Sequence, residues 1–214
     1  MSRFVDRRDA GRQLAAHLER FRGAEPVVFA LPRGGVPVAF EVARALAAPL
    51  DVILVRKIGA PGQPELGLGA VAEGGTVFLD QTLLRLVQPP PGYVEEVTAR
   101  ELEELARREQ LYAAARRPIA VAGRTAIVVD DGIATGGTAR AALRALRSRG
   151  AGRVVLAVPL GAPESLAALR ADADEIVCVH APERMHAVGY YYDRFEATPD
   201  QEVIDLLIAA RPSG

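Results

Sequence analysis

Short, uniformly apolar segments alternate with segments of helical periodicity along most of the chain. A short unbroken apolar run is typical of a strand that is covered on both faces of its sheet, so the pattern indicates parallel strands. We expect strands at residues 26–31, 50–55, 125–129, 153–158 and 175–179. Helices are expected at residues 6–21, 36–47, 81–88, 93–117, 136–149, 163–170 and 199–210. The alternation predicts an α/β fold with a mostly parallel central sheet and helices on both faces.

Two stretches depart from this alternation. Residues 59–75 contain six glycines and two prolines, so we expect no stable regular element there beyond short strand-like pieces near 70–72 and 76–79. Residues 93–117 are rich in Glu, Leu, Ala and Arg, and opposite charges stand three and four positions apart. This spacing predicts a long solvent-facing helix.

The composition is that of an ordinary globular protein. Half of the 214 residues are apolar and a quarter are charged, which suits a single domain over residues 1–214. The formal net charge of −1 gives no overall field that would attract nucleic acid or an anionic membrane, so neither partner is expected. One cysteine, Cys178, excludes an internal disulfide and gives no zinc pattern. No apolar run is long enough to cross a bilayer and no targeting segment is recognisable, so we expect a cytoplasmic protein.

The most informative segment is Ile127–Thr138, with the sequence IVVDDGIATGGT. A buried strand brings two adjacent carboxylates, Asp130 and Asp131, to its C-terminal end, and Thr-Gly-Gly-Thr then opens a helix. The N–H groups and the dipole of a helix's first turn form an anion cradle, to which threonine hydroxyls add donors. Paired carboxylates are suitable acceptors for the two hydroxyls of a vicinal diol. A phosphate and a diol together describe a ribose 5-phosphate.

This segment closely resembles the phosphoribosyl pyrophosphate (PRPP) motif of type I phosphoribosyltransferases, and the order of elements from about residue 26 to residue 180 fits that family. The resemblance implies that Asp130 and Asp131 hold the ribose hydroxyls and act in catalysis. It also implies a phosphate loop, residues 134–138, that binds the 5-phosphate through Ala134, Thr135, Gly136, Gly137 and Thr138.

The resemblance implies two further contacts to pyrophosphate. Residues 31–35 follow the first buried strand and look like the family's pyrophosphate loop, with Arg33, Gly34 and Gly35 as its binding residues. Lys57, the single lysine of the chain, ends the second strand, where the family places a basic contact to pyrophosphate; we expect it to act in catalysis as well.

Residues 59–75 correspond to the family's mobile catalytic loop, whose closure would exclude water from the reaction. Glu65 and Glu73 are the carboxylates available there, and a plain connecting segment is as good an interpretation as a catalytic role for either. The helix at 93–117 is unlike the short hairpins common in the family and is interpreted as a helical insertion.

Residues 180–198 correspond to the family's acceptor-binding hood, here small and C-terminal. Aromatic faces stack on flat bases, so Tyr192 and Phe195 are candidate acceptor-binding residues. The alternative is that these rings pack the hood's own core. Ala134 stands where 6-oxopurine enzymes have an Asp, which makes guanine and hypoxanthine weaker candidates and selects no particular base.

The resemblance implies an enzyme that transfers ribose 5-phosphate from PRPP to a nitrogen acceptor such as a nucleobase and releases pyrophosphate. Mg²⁺ would be held through PRPP and water, with no direct metal ligand from the protein, and a homodimer is usual in the family. Two alternatives remain open: a regulatory protein that senses PRPP or nucleotide without catalysis, and a hydrolase that uses the paired acids on a metal.

Overall fold

The computed structural model describes residues 3–211, and of Glu65 it describes the backbone alone. Helices and strands alternate through most of this range. In chain order they are α1 (Arg7–Ala16), β1 (Val27–Ala30), α2 (Gly35–Leu46), β2 (Leu50–Val52), β3 (Val55–Ala60), β4 (Gln63–Ala72), β5 (Thr76–Leu79), α3 (Gln81–Val87), α4 (Tyr93–Tyr112), β6 (Thr125–Val129), α5 (Gly137–Ser148), β7 (Arg153–Leu160), α6 (Pro163–Leu169), β8 (Glu175–His180) and α7 (Asp200–Ala209). None of the helices in this range has the length and apolar composition needed to cross a membrane.

The central sheet has the strand order β2-β1-β6-β7-β8, and every neighbouring pair is parallel. Successive residues of its strands point to opposite faces. In β1, Val28 packs into the core formed with α1, α2 and α7, whereas Phe29 packs into the core formed with α5 and α6. Both faces are therefore apolar, which is why the strands have no polar alternation. The prediction of a mostly parallel sheet with helices on both faces is confirmed.

A second, smaller sheet is antiparallel and has the order β3-β4-β5. The prediction that residues 59–75 lack a stable regular element is wrong, because β3 and β4 pair from Val55↔Ala72 to Ala60↔Gln63. The glycine content had suggested a loop. The apolar residues between those glycines instead form a small core with α3 and α4, in which Ile58, Leu68 and Val71 are buried with Val97.

Helix α4 ends at Tyr112, five residues earlier than predicted, and it is not wholly solvent-facing. One of its sides packs on the small sheet, where the buried carboxylate of Glu101 accepts a 2.8 Å hydrogen bond from Arg56 of β3. At its C-terminal end the Tyr112 hydroxyl donates to Asp200 of α7. This helix thus connects the small sheet to the main body of the fold.

The hood, residues 180–198, contains one short 3-10 helix at Val188–Tyr191. It is fastened to the start of the chain: Phe4 N–H donates to the Tyr191 carbonyl and Asp193 N–H donates to the Phe4 carbonyl, both at 2.9 Å. Phe4 and Tyr192 are buried together in its core. The hood is therefore built from both ends of the described chain.

Candidate active site

The loop that follows β1 and the loop that follows β6 meet at one edge of the central sheet. β1 and β6 are neighbours, and β2 lies on one side of this pair while β7 and β8 lie on the other. Ligands of open α/β sheets bind in the crevice at this point, beyond the carboxyl ends of the strands. Leu31 N–H donates to the Val129 carbonyl at 2.9 Å, which joins the starts of both loops. Any Cβ at Gly34 would collide with the carboxylate of Asp131, so only glycine allows this close approach. The pyrophosphate loop and the two acids predicted from the sequence are thus neighbours.

The phosphate loop is held from two neighbouring elements. Ile133 N–H donates to the Leu160 carbonyl at the end of β7 at 2.9 Å, and the Ser165 hydroxyl of α6 donates to the Ala134 carbonyl at 2.5 Å. Gly136 precedes α5 with a φ of +77°, a conformation that favours glycine. Thr135 and Thr138 are exposed beside the open first turn of the helix. This geometry suits an anion bound at the helix N-terminus.

Lys57 reaches the phosphate loop from β3. Its Cδ lies 3.6 Å from the position that a Cβ on Gly137 would take, at the N-terminus of α5. Arg33 lies elsewhere: its side chain is 41% exposed and pairs with Asp200 of α7 at 3.7 Å. The small sheet therefore brings the lysine to the phosphate loop, while Arg33, predicted to bind pyrophosphate, pairs with α7.

Asp130 and Asp131 form a partly buried acid pair. Burial raises the pKa of Asp130 well above its ordinary value, and the charge of the adjacent Asp131 raises it further. Burial also raises the pKa of Asp131, while a hydrogen bond from Arg7 opposes that rise. Two adjacent carboxylates in a desolvated place resist simultaneous ionisation. Hydrogen-bond donors on a ligand would stabilise the ionised form of both carboxylates.

Arg7 of α1 belongs to the site, although sequence reasoning did not find it. Its Nε donates to Oδ2 of Asp131 at 2.8 Å, and the two side chains are only 12% and 15% exposed. Its Nη1 donates to the Glu196 carbonyl at 2.7 Å, and its guanidinium carbon lies 3.9 Å from the centre of the Phe195 ring. Several arginines stand near the N-terminus, and no local signal separates this one from the others.

Tyr192 and Phe195 are enclosed in the hood. Tyr192 is 1% exposed, and its hydroxyl donates to the Asp131 carbonyl at 2.6 Å. Phe195 stacks on Tyr192 at 4.9 Å and carries Arg7 over its ring. An acceptor base could not stack on these rings without displacing their partners, so the geometry favours the alternative of core packing. The ring of Tyr190 is accessible instead, with 70% of the residue exposed.

Glu73 lies far from the acid pair and the phosphate loop. Its carboxylate pairs with Arg116 at 2.9 Å and with Arg149 at 2.6 Å. Arg149 follows the C-terminal end of α5, and a helix rise of about 1.5 Å per residue puts it about 18 Å from Gly137 at the opposite end. Glu73 therefore cannot touch a ligand on the phosphate loop. The side chain of Glu65 lies outside the described residues.

No cluster of three or more potential metal-binding side chains occurs among the side chains that the structure describes, which exclude that of Glu65. The acid pair nevertheless offers oxygen acceptors at the crevice, which suit the water shell that Mg²⁺ usually keeps. These residues therefore fit a Mg²⁺ ion that is held through a phosphorylated ligand and water.

The sequence matches the phosphoribosyl transferase domain family over residues 7–193, and the chain belongs to this family. The resemblance inferred from the PRPP motif is thereby confirmed.

Two named relatives and one solved structure are similar to this chain. A Mycobacterium tuberculosis protein named as a phosphoribosyl transferase is 48% identical over 207 residues, which cover 97% of this chain and 47% of that protein. The chain thus spans about half the length of this curated relative. A crystal structure of a Thermus thermophilus protein has a TM-score of 0.87 at 45% identity, covering 97% of this chain and 98% of that one. A uracil phosphoribosyltransferase of Lactobacillus gasseri is 31% identical over 167 residues, covering 74% of this chain and 76% of that protein.

Proposed function

We propose that this chain transfers ribose 5-phosphate from PRPP to a nitrogen atom of a nucleobase and releases pyrophosphate. The observation that carries the proposal is the meeting of three ligand-binding features at one crevice. These are the acid pair, the helix N-terminus behind the phosphate loop, and the pyrophosphate loop that touches Asp131 through Gly34. Their chemistry matches the diol, the 5-phosphate and the pyrophosphate of a single substrate.

In this proposal the phosphate loop holds the 5-phosphate through backbone N–H groups and the hydroxyls of Thr135 and Thr138. Lys57 adds a positive charge on the same side, so we assign it to the 5-phosphate as well as to the departing pyrophosphate. Asp130 and Asp131 accept hydrogen bonds from the ribose hydroxyls. Their negative charge also stabilises the positive charge that develops on the ribose ring as the bond from C1′ to pyrophosphate breaks.

The pyrophosphate leaves towards the N–H group of Gly34 at the start of the helix. The predicted contact from the Gly35 N–H does not fit this arrangement, because that group already donates to the Leu31 carbonyl at 3.0 Å. Arg33 would contribute if it exchanged Asp200, its present partner, for a phosphate oxygen. Bound Mg²⁺ would neutralise charge on the pyrophosphate. Asp130 and Asp131 would accept hydrogen bonds from its water shell and would not bind the ion directly.

The nucleobase acceptor is proposed from two observations. Relatives named uracil phosphoribosyltransferases align with much of the chain. The hood also lies directly over the PRPP motif, because Val188 packs against Gly132. An acceptor bound between them would face C1′ of the ribose. The homodimer expected from the family stays a prediction.

The test is calorimetric binding of PRPP with Mg²⁺ to the wild type and to Asp130→Asn/Asp131→Asn. We expect micromolar binding by the wild type and at least a hundredfold weaker binding by the double variant, since both diol acceptors lose their charge. Asp193→Asn, which removes a 54% exposed carboxylate of the hood, is the matched control and should bind like the wild type.

Wild-type protein that binds PRPP would then be screened with nucleobases for pyrophosphate release. Release with one base would identify the acceptor. Binding without release in any mixture would favour the regulatory alternative, and a folded wild type that fails to bind PRPP would contradict the proposal.

A further inference from the structure

Arg7 makes three contacts with two different parts of the site. It donates through Nε to Asp131 and through Nη1 to the Glu196 carbonyl, and its guanidinium carbon lies 3.9 Å from the centre of the Phe195 ring. The last two residues belong to the hood, whereas Asp131 follows β6. A buried guanidinium with so many partners has one defined orientation. Arg7 therefore joins the hood to one particular acid of the site.

The hydrogen bond to Asp131 leaves room for a ligand. A carboxylate offers about four acceptor positions on two oxygens. Arg7 occupies one of them, on Oδ2, so Oδ1 stays available to a hydroxyl donor. The Tyr192 hydroxyl holds the same residue by its backbone carbonyl. Asp131 is thus fixed at both its side chain and its main chain by residues outside the PRPP motif.

Among the described titratable groups that face Asp131, one carries a positive charge. The described titratable groups that face it are Arg7 from α1, Asp130 from the end of β6 and Tyr192 from the hood. Of these three, Arg7 carries the positive charge. Its removal would leave two partly buried carboxylates side by side, and they would compete for one proton.

We propose that Arg7 is a positioning residue that orients the diol-binding carboxylate of Asp131 and makes ribose binding depend on the seating of the hood. This inference rests on the proposed function, because the diol is that of PRPP. It differs from a role in contacting substrate: Arg7 acts through Asp131 on one side and through Phe195 and Glu196 on the other. The hood would then influence the PRPP site as well as the acceptor.

The experiment measures PRPP binding with Mg²⁺ by calorimetry between pH 5.5 and 8 for the wild type, Arg7→Gln, Arg7→Lys and Phe195→Leu. Arg12→Gln is the matched control, because it removes a 55% exposed arginine from the same helix. Thermal unfolding of each variant separates weaker binding from loss of the fold.

For Arg7→Gln we expect binding at least about tenfold weaker at neutral pH, a loss of about 1.4 kcal/mol. Its binding should also strengthen with pH more steeply than that of the wild type, since Asp131 would need a higher pH to ionise. Arg7→Lys should restore the wild-type pH profile and recover only part of the affinity, because an ammonium cannot make both hydrogen bonds and stack on Phe195. A purely structural role for Arg7 would leave the pH profile unchanged.

Phe195→Leu tests the hood independently and keeps the proposal falsifiable if Arg7→Gln does not fold. We expect severalfold weaker PRPP binding with the wild-type pH profile, although Phe195 touches no ribose atom in the proposal. Wild-type affinity in Phe195→Leu would overturn the link to the hood, and wild-type affinity and pH profile in Arg7→Gln would overturn the positioning role. Failure of the wild type to bind PRPP would instead overturn the proposed function and this inference with it.

Discussion

Two ionic clusters of this protein are shielded from solvent to a large extent and differ in charge balance. The balanced cluster consists of Asp51, Glu73, Arg116 and Arg149, two acids with two arginines. The acid pair, by contrast, shares the single arginine Arg7. The clusters lie towards opposite ends of α5, since Arg149 follows its C-terminus and the phosphate loop precedes its N-terminus.

In the balanced cluster the protein itself satisfies the charges. Asp51 is fully buried on β2, and Arg116 binds both of its oxygens at 2.8 and 3.1 Å while also donating to the Val52 carbonyl. Burial raises the pKa of Asp51, and the hydrogen bond from Arg116 opposes that effect. This cluster ties the segment after α4 to β2 and to the turn between β4 and β5. Each of its two acids has an arginine partner within the protein, although Oε2 of Glu73 pairs with Arg116 without a hydrogen bond.

The acid pair is left with unused acceptor capacity and an excess of negative charge. Such an arrangement costs stability unless a ligand supplies donors, and unbalanced buried charge is common at functional sites for this reason. The comparison shows that burial and perturbed pKa values alone do not identify a functional site. The number of internal partners per carboxylate separates the two clusters.

The largest expected effect on stability comes from breaking the balanced cluster with Arg116→Met. We expect the free energy of unfolding to fall by about 3–5 kcal/mol, because Asp51 and Glu73 lose their shared buried partner. The loss should be greater at pH 8 than at pH 5, since Asp51 can escape an uncompensated charge by taking up a proton. Urea unfolding at both pH values measures it.

The control for this prediction is Arg107→Met, which removes an exposed arginine from α4 and should cause no measurable change. A loss below about 1 kcal/mol in Arg116→Met would mean that the cluster contributes little to stability. The balanced cluster would then not differ from the acid pair by stabilising the fold.

The sequence was most informative where the site is local. The acids and the phosphate loop stand within a dozen contiguous residues, and the strand before them and the helix after them each have their own periodicity. Parallel strands then bring the loop after β1 to the same edge of the sheet. The family and the sheet could therefore be predicted, and so could the proximity of the loops that form the centre of the candidate site.

The rest of the site depends on contacts between distant parts of the chain. Arg7 and Asp131 are 124 positions apart, and Tyr192 is buried because Phe4 reaches it from the other end of the chain. Composition also misled at residues 59–75, where Leu68 and its neighbours find a partner in Val97 on α4. None of these partners is marked by a local pattern.

A smaller effect, of opposite sign, is expected from Asp130→Asn. The pKa of Asp130 is raised in the folded protein. Above that raised pKa the ionised carboxylate therefore lowers the free energy of unfolding. Removing the charge should stabilise the protein by about 0.5–2 kcal/mol at pH 8. The gain should shrink as the pH falls and vanish below about pH 4, where the carboxyl is protonated in both states.

Urea unfolding of Asp130→Asn and the wild type across this pH range provides the measurement. Asp205→Asn removes an exposed carboxylate from α7 and serves as the control, with no expected gain. A variant that is less stable than the wild type at pH 8 would show that Asp130 is satisfied inside the protein. The acid pair would then belong with the balanced cluster.

The smallest effect is expected from removing a neutral contact of the acid pair, with Tyr192→Phe. Its buried hydroxyl is the donor to the Asp131 carbonyl, so its loss should cost about 0.5–1.5 kcal/mol in urea unfolding. Tyr191→Phe is a matched control from the adjacent position, because its hydroxyl donates to the Arg184 carbonyl at the surface, where water can replace it. Equal losses in the two variants would mean that the buried hydroxyl contributes no more than a surface one. Of the two residues outside the PRPP motif that contact Asp131, Arg7 would then be the one that fixes its position.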